Sequence, residues 1–258
     1  MNADRPLEGL GVVITRPRPA AEALAQELER AGARPFVFPA LAIEPAEPSP
    51  ALEAALSQLS RADLAIFVSA NAAEHGLAAA RRHGPWPPRC RAAAVGEATA
   101  RALRNSGFAA VISPRERHDS EGLLALEELK AVDGRHILIF RGRGGRELLR
   151  EALESRGAQV TYVECYRRIR PAADPAALLG AWSRGEIHAV SVLSAETLEN
   201  FVAMIGAAGA ALLPSAGLVV PHDAIARHSA ARRFARVAVT DSGADGLVRA
   251  LARLRVTT

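Results

Sequence analysis

The sequence predicts an α/β protein with two parallel-sheet domains that arise from an internal duplication. Three observations carry this prediction. Short apolar, β-branched runs alternate with amphipathic helical stretches, the pattern of strands wrapped by helices. The first half of the chain matches the second at a fixed offset. The 258 residues suffice for one large or two modest cores, at about 150 residues per domain.

Taken in order, Leu10 to Thr15 reads as a strand, and Ala20 to Ala31 as a helix with Leu24 and Leu28 on one face and Gly32 as its stop. Ile137 to Phe140, Glu147 to Arg156 and Gly157 repeat those signals. An offset of 125 residues pairs Ile14 with Ile139, Arg16 with Arg141, Arg18 with Arg143, Glu22 with Glu147 and Leu24 with Leu149. It also pairs Leu28 with Leu153, Glu29 with Glu154, Gly32 with Gly157 and Ala33 with Ala158, nine identities in the twenty positions 14 to 33. Further along, Ser69-Ala70 falls on Ser194-Ala195 and Glu74 on Glu199. At offset 126, Ala100-Arg101 falls on Ala226-Arg227 and Phe108-Ala109 on Phe234-Ala235. The halves then supply strands near 12, 64, 92 and 110 and near 137, 188, 217 and 236. Arg34 to Pro50, with five prolines, suits an extended connector, and Val160 to Pro171 is its counterpart.

Composition removes several kinds of chemistry. Lys130 is the only lysine, so 31 of the 32 cationic residues are arginine. A Walker A loop needs a lysine after its glycines, and Lys130 lies in a polar helical stretch unsuited to a Schiff base. Gly142-Arg143-Gly144 opens like a dinucleotide fingerprint, but Glu147 stands where the third glycine belongs. The seven histidines form no His-Glu-x-x-His pair and share no zinc spacing with Cys90 or Cys165, so no metal is expected. No Gly-x-Ser-x-Gly elbow occurs. Two cysteines are too few for a disulfide framework and read as free thiols of a reducing compartment. The opening Met1-Asn2-Ala3-Asp4-Arg5-Pro6 lacks a signal peptide's apolar core, and no apolar run approaches the ~18 residues of a membrane span. A cytoplasmic location follows as the expectation. A net charge of +4 with acidic residues interspersed calls for no nucleic-acid partner.

The strand ends carry the candidate site. The first strand ends in Thr15-Arg16-Pro17-Arg18, and its counterpart in Arg141-Gly142-Arg143-Gly144-Gly145-Arg146. The strand at 64 to 68 ends in Ser69-Ala70-Asn71, with Ser194-Ala195-Glu196 as its counterpart, and the strand at 92 to 95 ends in Gly96-Glu97-Ala98-Thr99. Open amides of a helix's first turn attract carboxylate or phosphate, and arginine adds bidentate hydrogen bonds. Taken singly, Ser69, Ser194 and Thr99 read as helix N-caps; as a set they point to an anion site. The two tyrosines, Tyr162 and Tyr166, both fall in the second connector.

Several segments in order resemble the uroporphyrinogen-III synthase family: Val13-Ile14-Thr15-Arg16-Pro17, Phe67-Val68-Ser69-Ala70-Asn71-Ala72 and Val95-Gly96-Glu97-Ala98-Thr99-Ala100. Ser120-Glu121-Gly122-Leu123-Leu124, Ile139-Phe140-Arg141-Gly142-Arg143-Gly144-Gly145-Arg146, Gly157-Ala158-x-Val160 and Tyr166-Arg167-Arg168 continue the likeness over nearly the whole chain. The resemblance implies two α/β domains joined by a two-stranded β-ladder. Residues 1–35 with 172–258 would form the first domain, 36–48 and 160–171 the linker strands, and 49–159 the second domain. It implies a cofactor-free cyclising hydro-lyase of tetrapyrrole (heme) biosynthesis, which closes hydroxymethylbilane with loss of water and inversion of ring D. Tyr166 would assist departure of the hydroxyl. Thr15, Arg16, Arg18, Ser69, Ala70, Asn71, Thr99, Arg141, Gly142, Arg146 and Ser194 would bind substrate. Where members carry a Gly-x-x-Thr-Ala element, this chain reads Val220-Pro221-His222-Asp223-Ala224-Ile225-Ala226, which leaves His222 as the substitute. A monomer is implied, with a transient contact to the upstream deaminase left open. The rival reading is a non-enzymatic two-domain anion-binding or sensor protein.

Overall fold

The structure, a computed structural model, describes residues 5–241 and 243–256; the opening tetrapeptide read above lies outside them. The elements run β1 (Gly11–Ile14), α1 (Ala20–Arg30), β2 (Arg34–Val37), β3 (Ala42–Pro45), α2 (Pro50–Ser57), β4 (Leu64–Phe67), α3 (Ala70–His83), β5 (Arg91–Ala94), α4 (Glu97–Asn105), β6 (Val111–Ile112) and α5 (Ser120–Leu124). They continue with α6 (Glu127–Lys130), β7 (His136–Gly142), α7 (Leu148–Ser155), β8 (Gln159–Ile169), α8 (Ala176–Ser183), β9 (Ala189–Ser191), α9 (Ala195–Ala210), β10 (Gly217–Val220), α10 (Asp223–Ala226), β11 (Arg236–Val239) and α11 (Gly243–Val256). Two compact units result, one holding the chain up to Ala42 and from Ile169, the other Ile43–Arg168.

In the first unit the strand order is β11-β10-β9-β1-β2, and every pair is parallel. Alternation sends successive residues to opposite faces. Val13, Val190 and Leu218 meet Trp182 and Phe201 from α8 and α9. Val12, Ile14 and Val219 meet Leu24 and Leu28 of α1 and Leu247 and Leu251 of α11. Both faces are covered, which is why these strands read as continuous apolar runs.

The second unit has the order β3-β8-β7-β4-β5-β6, parallel from β8 to β6. Phe67, Phe140, Val163 and Cys165 face α2, α3 and α4. Ile66, Ile137 and Ile139 face Leu123 and Leu129 of α5 and α6 and Leu149 and Leu153 of α7. Phe67 and Phe140 stack with centroids 4.6 Å apart, and Trp86 packs beside both.

The predicted connectors contain strands. Arg34–Val37 is the edge strand β2, in parallel register with β1. Gln159 to Tyr166 runs parallel to β7 as part of the second sheet. The reason is backbone satisfaction: each open sheet edge carries unpaired amides, and the adjacent extended, β-branched segment supplies their partners. The register also repeats. Ile14 stands opposite Ser191 and Val37, while Ile139 stands opposite Ile66 and Tyr162. Among the described residues no helix is long and apolar enough to cross a membrane.

Phe140 is fully buried under its aromatic neighbours. Phe140→Ala is expected to cost about 3–5 kcal/mol, read as an earlier midpoint in the urea-unfolding transition of the second unit. A loss below about 1 kcal/mol would show that this ring stack is dispensable.

Candidate functional site

The site of the second unit begins with a register fault. Along β7 and β8 the partners step evenly to Arg141 and Glu164, but Gly142 then stands opposite Tyr166, leaving Cys165 extra. The extra residue breaks the alternation of faces, so the consecutive Cys165 and Tyr166 both turn toward the α3 side of the sheet. Tyr162, in the unbroken part of the strand, faces the α7 side. One inserted residue thus places the two tyrosines on opposite faces.

Tyr166 is buried, and its hydroxyl lies 3.2 Å from Ser69 Oγ. Ser69 is the N-cap of α3, and its Oγ also accepts from the Ala72 amide at 3.0 Å. His75, one turn further along α3, packs its ring 5.9 Å from that of Tyr166. The phenol ring lies flat on Gly142, where a Cβ would fall 2.6 Å from Tyr166 Cε2 and 2.7 Å from Cζ. Only glycine fits there. The Arg143 amide donates to the Tyr166 carbonyl at 2.9 Å and fixes the chain beyond the fault.

Gly142 and Tyr166 line a cavity of about 230 Å³ at the carboxyl end of β7, together with Arg143, Arg146, Arg168 and Ser120. Parallel sheets place ligands at this end. A wider groove of about 1400 Å³ runs along β6 and the 113–118 loop, away from Tyr166. Size alone would favour the groove; the buried Tyr166, which only the smaller cavity of the two reaches, favours the latter.

Arg141 does not stand open at its strand end as the sequence suggested. Its side chain is only 6% exposed. Nε donates to the Gly144 carbonyl at 3.1 Å, Nη1 to Glu147 Oε1 at 3.1 Å, and the guanidinium stacks 4.2 Å from the Tyr162 ring centroid. Arg150 packs against the same ring at 3.8 Å. The Tyr162 hydroxyl donates to Glu147 Oε2 at 2.9 Å. That bond, with help from Arg141, holds the Glu147 carboxyl below the usual carboxylate range. Burial, reinforced by Glu147, pushes the Tyr162 phenol up to about 12. Glu147, which the sequence offers as a helix start and as the match of Glu22 but not as a site residue, belongs to this assembly. Its identity with Glu22 at an offset of 125 residues, each carboxylate paired with an arginine, was the signal that could have found it.

Arg146 is exposed and pairs with Glu121 at 2.8 Å. Ala70 and Asn71 occupy the first turn of α3. Thr99 is not a helix cap: Gly96 is, and Thr99 is buried within the first turn of α4. Periodicity misplaced that helix start because glycine caps without a side chain.

In the first unit, the Thr15 hydroxyl donates to the Ser191 carbonyl at 2.7 Å and ties β1 to β9. Arg16 is half-buried, its Nε without a hydrogen-bond partner, and burial lowers its pKa against the opposing charge of Glu27. Arg18 is exposed and paired with Glu22. Ser194 caps α9, accepting from the Thr197 amide at 3.1 Å and sharing a hydrogen bond with the Thr197 hydroxyl at 2.8 Å. His222 stands exposed before the short α10, with no capping bond from its side chain.

Fold and site together define a doubly wound α/β protein with a hydroxyl- and guanidinium-lined pocket at the strand ends of one unit. A family model described as uroporphyrinogen-III synthase HemD matches residues 22–248. The chain belongs to the uroporphyrinogen-III synthase family, whose members are enzymes. It is 37% identical over 193 residues to the uroporphyrinogen-III synthase of Salmonella typhimurium, covering 74% of this chain and 78% of that protein. It is 32% identical over 197 residues to that of Escherichia coli, covering 76% and 80%. The fold is similar to a crystal structure of mutant uroporphyrinogen III synthase from Thermus thermophilus, with TM-score 0.58, 23% identity, and 96% and 100% of the two chains covered. It is also similar to the Helicobacter pylori structure, with TM-score 0.55, 13% identity, and 96% and 99% covered. Nothing in these likenesses supports the rival reading of a non-enzymatic sensor.

Burial pushes the thiols of Cys90 and Cys165 up to about 12. Little thiolate therefore forms in the folded protein at pH 8, and the thiolate is the reactive form. Neither cysteine is expected to react with an aromatic disulfide reagent at pH 8 until denaturant is added. Fast release of one or two equivalents from the folded protein would contradict this assignment.

Proposed function

We propose that this chain closes hydroxymethylbilane, a linear tetrapyrrole bearing eight carboxylates, to uroporphyrinogen III as a cyclising hydro-lyase. The terminal hydroxyl leaves as water and ring A becomes a cationic azafulvene. The substituted α-carbon of ring D attacks it, the spiro intermediate fragments, and reclosure with loss of a proton inverts the ring. The balance is one water lost. The unaided chain also closes, without inversion, so holding one geometry is the main task.

The observation that carries the residue-level reading is the Tyr166 hydroxyl, oriented by Ser69 at the rim of an arginine-lined cavity. A phenol can donate to the departing oxygen. The proton released on reclosure restores it. Ser69, Ala70 and Asn71 at the start of α3, with Gly142 and Arg146, hold substrate in this reading. Thr15, Arg16, Arg18, Ser194 and His222 offer hydroxyl, guanidinium and imidazole groups in the other unit.

The same reading makes the units two copies of one ancestor with exchanged opening segments. The orders β11-β10-β9-β1-β2 and β6-β5-β4-β7-β8 correspond strand for strand at the offsets seen in the sequence, which supports it. So do the pairs Ala189 with Gly217 and Leu64 with Arg91. A monomer meeting the upstream deaminase transiently belongs to this proposal.

Incubation with freshly generated hydroxymethylbilane, followed by oxidation and separation of the isomers, is expected to give the III isomer. The I isomer alone, as in the blank, would end the reading. Tyr166→Phe should lower kcat by about 10²-fold while leaving KM nearly unchanged. Gly142→Ala should act in the same direction, because a Cβ displaces the phenol ring. An unchanged kcat in Tyr166→Phe would remove the phenol from the mechanism.

A further inference from the structure

We infer that Tyr162 and Glu147 are positioning residues for the substrate-holding loop at 143–146, and that Arg141 is the strut they hold in place rather than a substrate ligand. The inference rests on the proposed reaction, and four observations carry it.

First, the loop has no regular structure of its own to fix it. It leaves β7 at Gly142 and enters α7 at Leu148, and its shape depends on Gly144 and Gly145 at φ +74° and +117°. Second, Arg141 fills the space beneath it. Its guanidinium holds the Gly144 carbonyl, and a Cβ at Gly145 would lie 2.8 Å from Nη2. Third, Arg141 is held in turn by Glu147 and by the face of Tyr162. Cation and ring attract each other, and a planar guanidinium suits both contacts. Fourth, both oxygens of Glu147 are taken, one by Arg141 and one by the Tyr162 hydroxyl, although Glu147 sits at the N-cap of α7 and makes no capping bond there.

The fourth point separates positioning from simple stability. A carboxylate beside a pocket that receives carboxylates would repel them. Bound on both oxygens, Glu147 is neutralised locally and cannot swing toward Arg146. Glu164 is used in a similar way, accepting the Gly144 amide at 3.2 Å. Glu147 and Glu164 are thus tied to the pocket's scaffold, while Arg143 and Arg146 line the pocket, Arg146 paired with Glu121.

Two readouts test this. Hydrogen–deuterium exchange of the peptide covering 143–147, in protein without substrate, should quicken about tenfold in Glu147→Ala and Tyr162→Phe. Steady-state kinetics on hydroxymethylbilane should show KM raised about tenfold in both variants with kcat within about twofold. Glu147→Gln, whose Oε1 can accept from Arg141 while its Nε2 donates to the Tyr162 hydroxyl oxygen, should restore most of both. Unchanged exchange in the two variants would overturn the inference, and so would a fall in kcat at constant KM. Should Glu147→Ala fail to fold, Tyr162→Phe decides alone, since it keeps the ring and loses one hydroxyl. A wild-type protein that makes only the I isomer would sink the proposed reaction, while the exchange data would still judge the loop.

Discussion

The arrangement of the second unit depends on one close approach, the Tyr166 ring against the hydrogen of Gly142. β7 must end in glycine for the ring to lie there, and β8 must carry an extra residue for the ring to be on that face at all. Bulges are uncommon in parallel pairs and favour places where a side chain must be re-aimed. Cys165 absorbs the irregularity: its thiol donates to the Arg141 carbonyl at 3.4 Å and its side chain stays in the core. The fault also brings the Arg143 amide to the Tyr166 carbonyl, so the loop that lines the pocket starts from a fixed point. The phenol, its serine partner and the loop therefore share a single geometric cause.

Electrostatics then divide the arginines by burial. Arg141 is desolvated, and the structure meets that cost with two backbone carbonyls, a carboxylate and an aromatic face. Its charge is committed. Arg146, 70% exposed, pairs directly with Glu121 at the surface, an interaction that contributes little and yields readily to salt. Residue type alone put both arginines in one class; burial separates them.

Much of the fold could be read from the sequence because it is written in local signals. Apolar runs near 12, 64, 92, 137, 217 and 236 are strands, and Gly32 and Gly157 end the helices before them. The connectors were less legible. Arg34–Val37 joins a sheet only because β1 is beside it, and proline-rich sequence does not announce that partner. Of the candidate site, the Ser69 cap was legible because its pattern is local, and Gly142 and Tyr166 were singled out through family likeness. The site was illegible where burial or distant pairing decides. Thr99 looks like a cap in sequence and is a core residue in space. Glu147 and Tyr162 meet 15 residues apart across two elements, and no periodicity marks the bond.

On the proposed duplication, the two units differ most where the chemistry would lie. Ser69 and Ser194 are equivalent caps with equivalent amide partners, Ala72 and Thr197. The remaining capacity of Ser194 is used locally, by the Thr197 hydroxyl. Ala72 has no hydroxyl, so Ser69 is left for Tyr166. In the other copy the place of Tyr166 is taken by Leu41 and that of Gly142 by Pro17, which leaves neither a phenol nor the space for one. The substrate proposed above carries many carboxylates but has a single hydroxyl to lose. One copy with a phenol suffices for that step, and a second would add a competing donor at the wrong end of the chain. The substitutions that distinguish the units are thus those by which a symmetric scaffold can act on an asymmetric substrate.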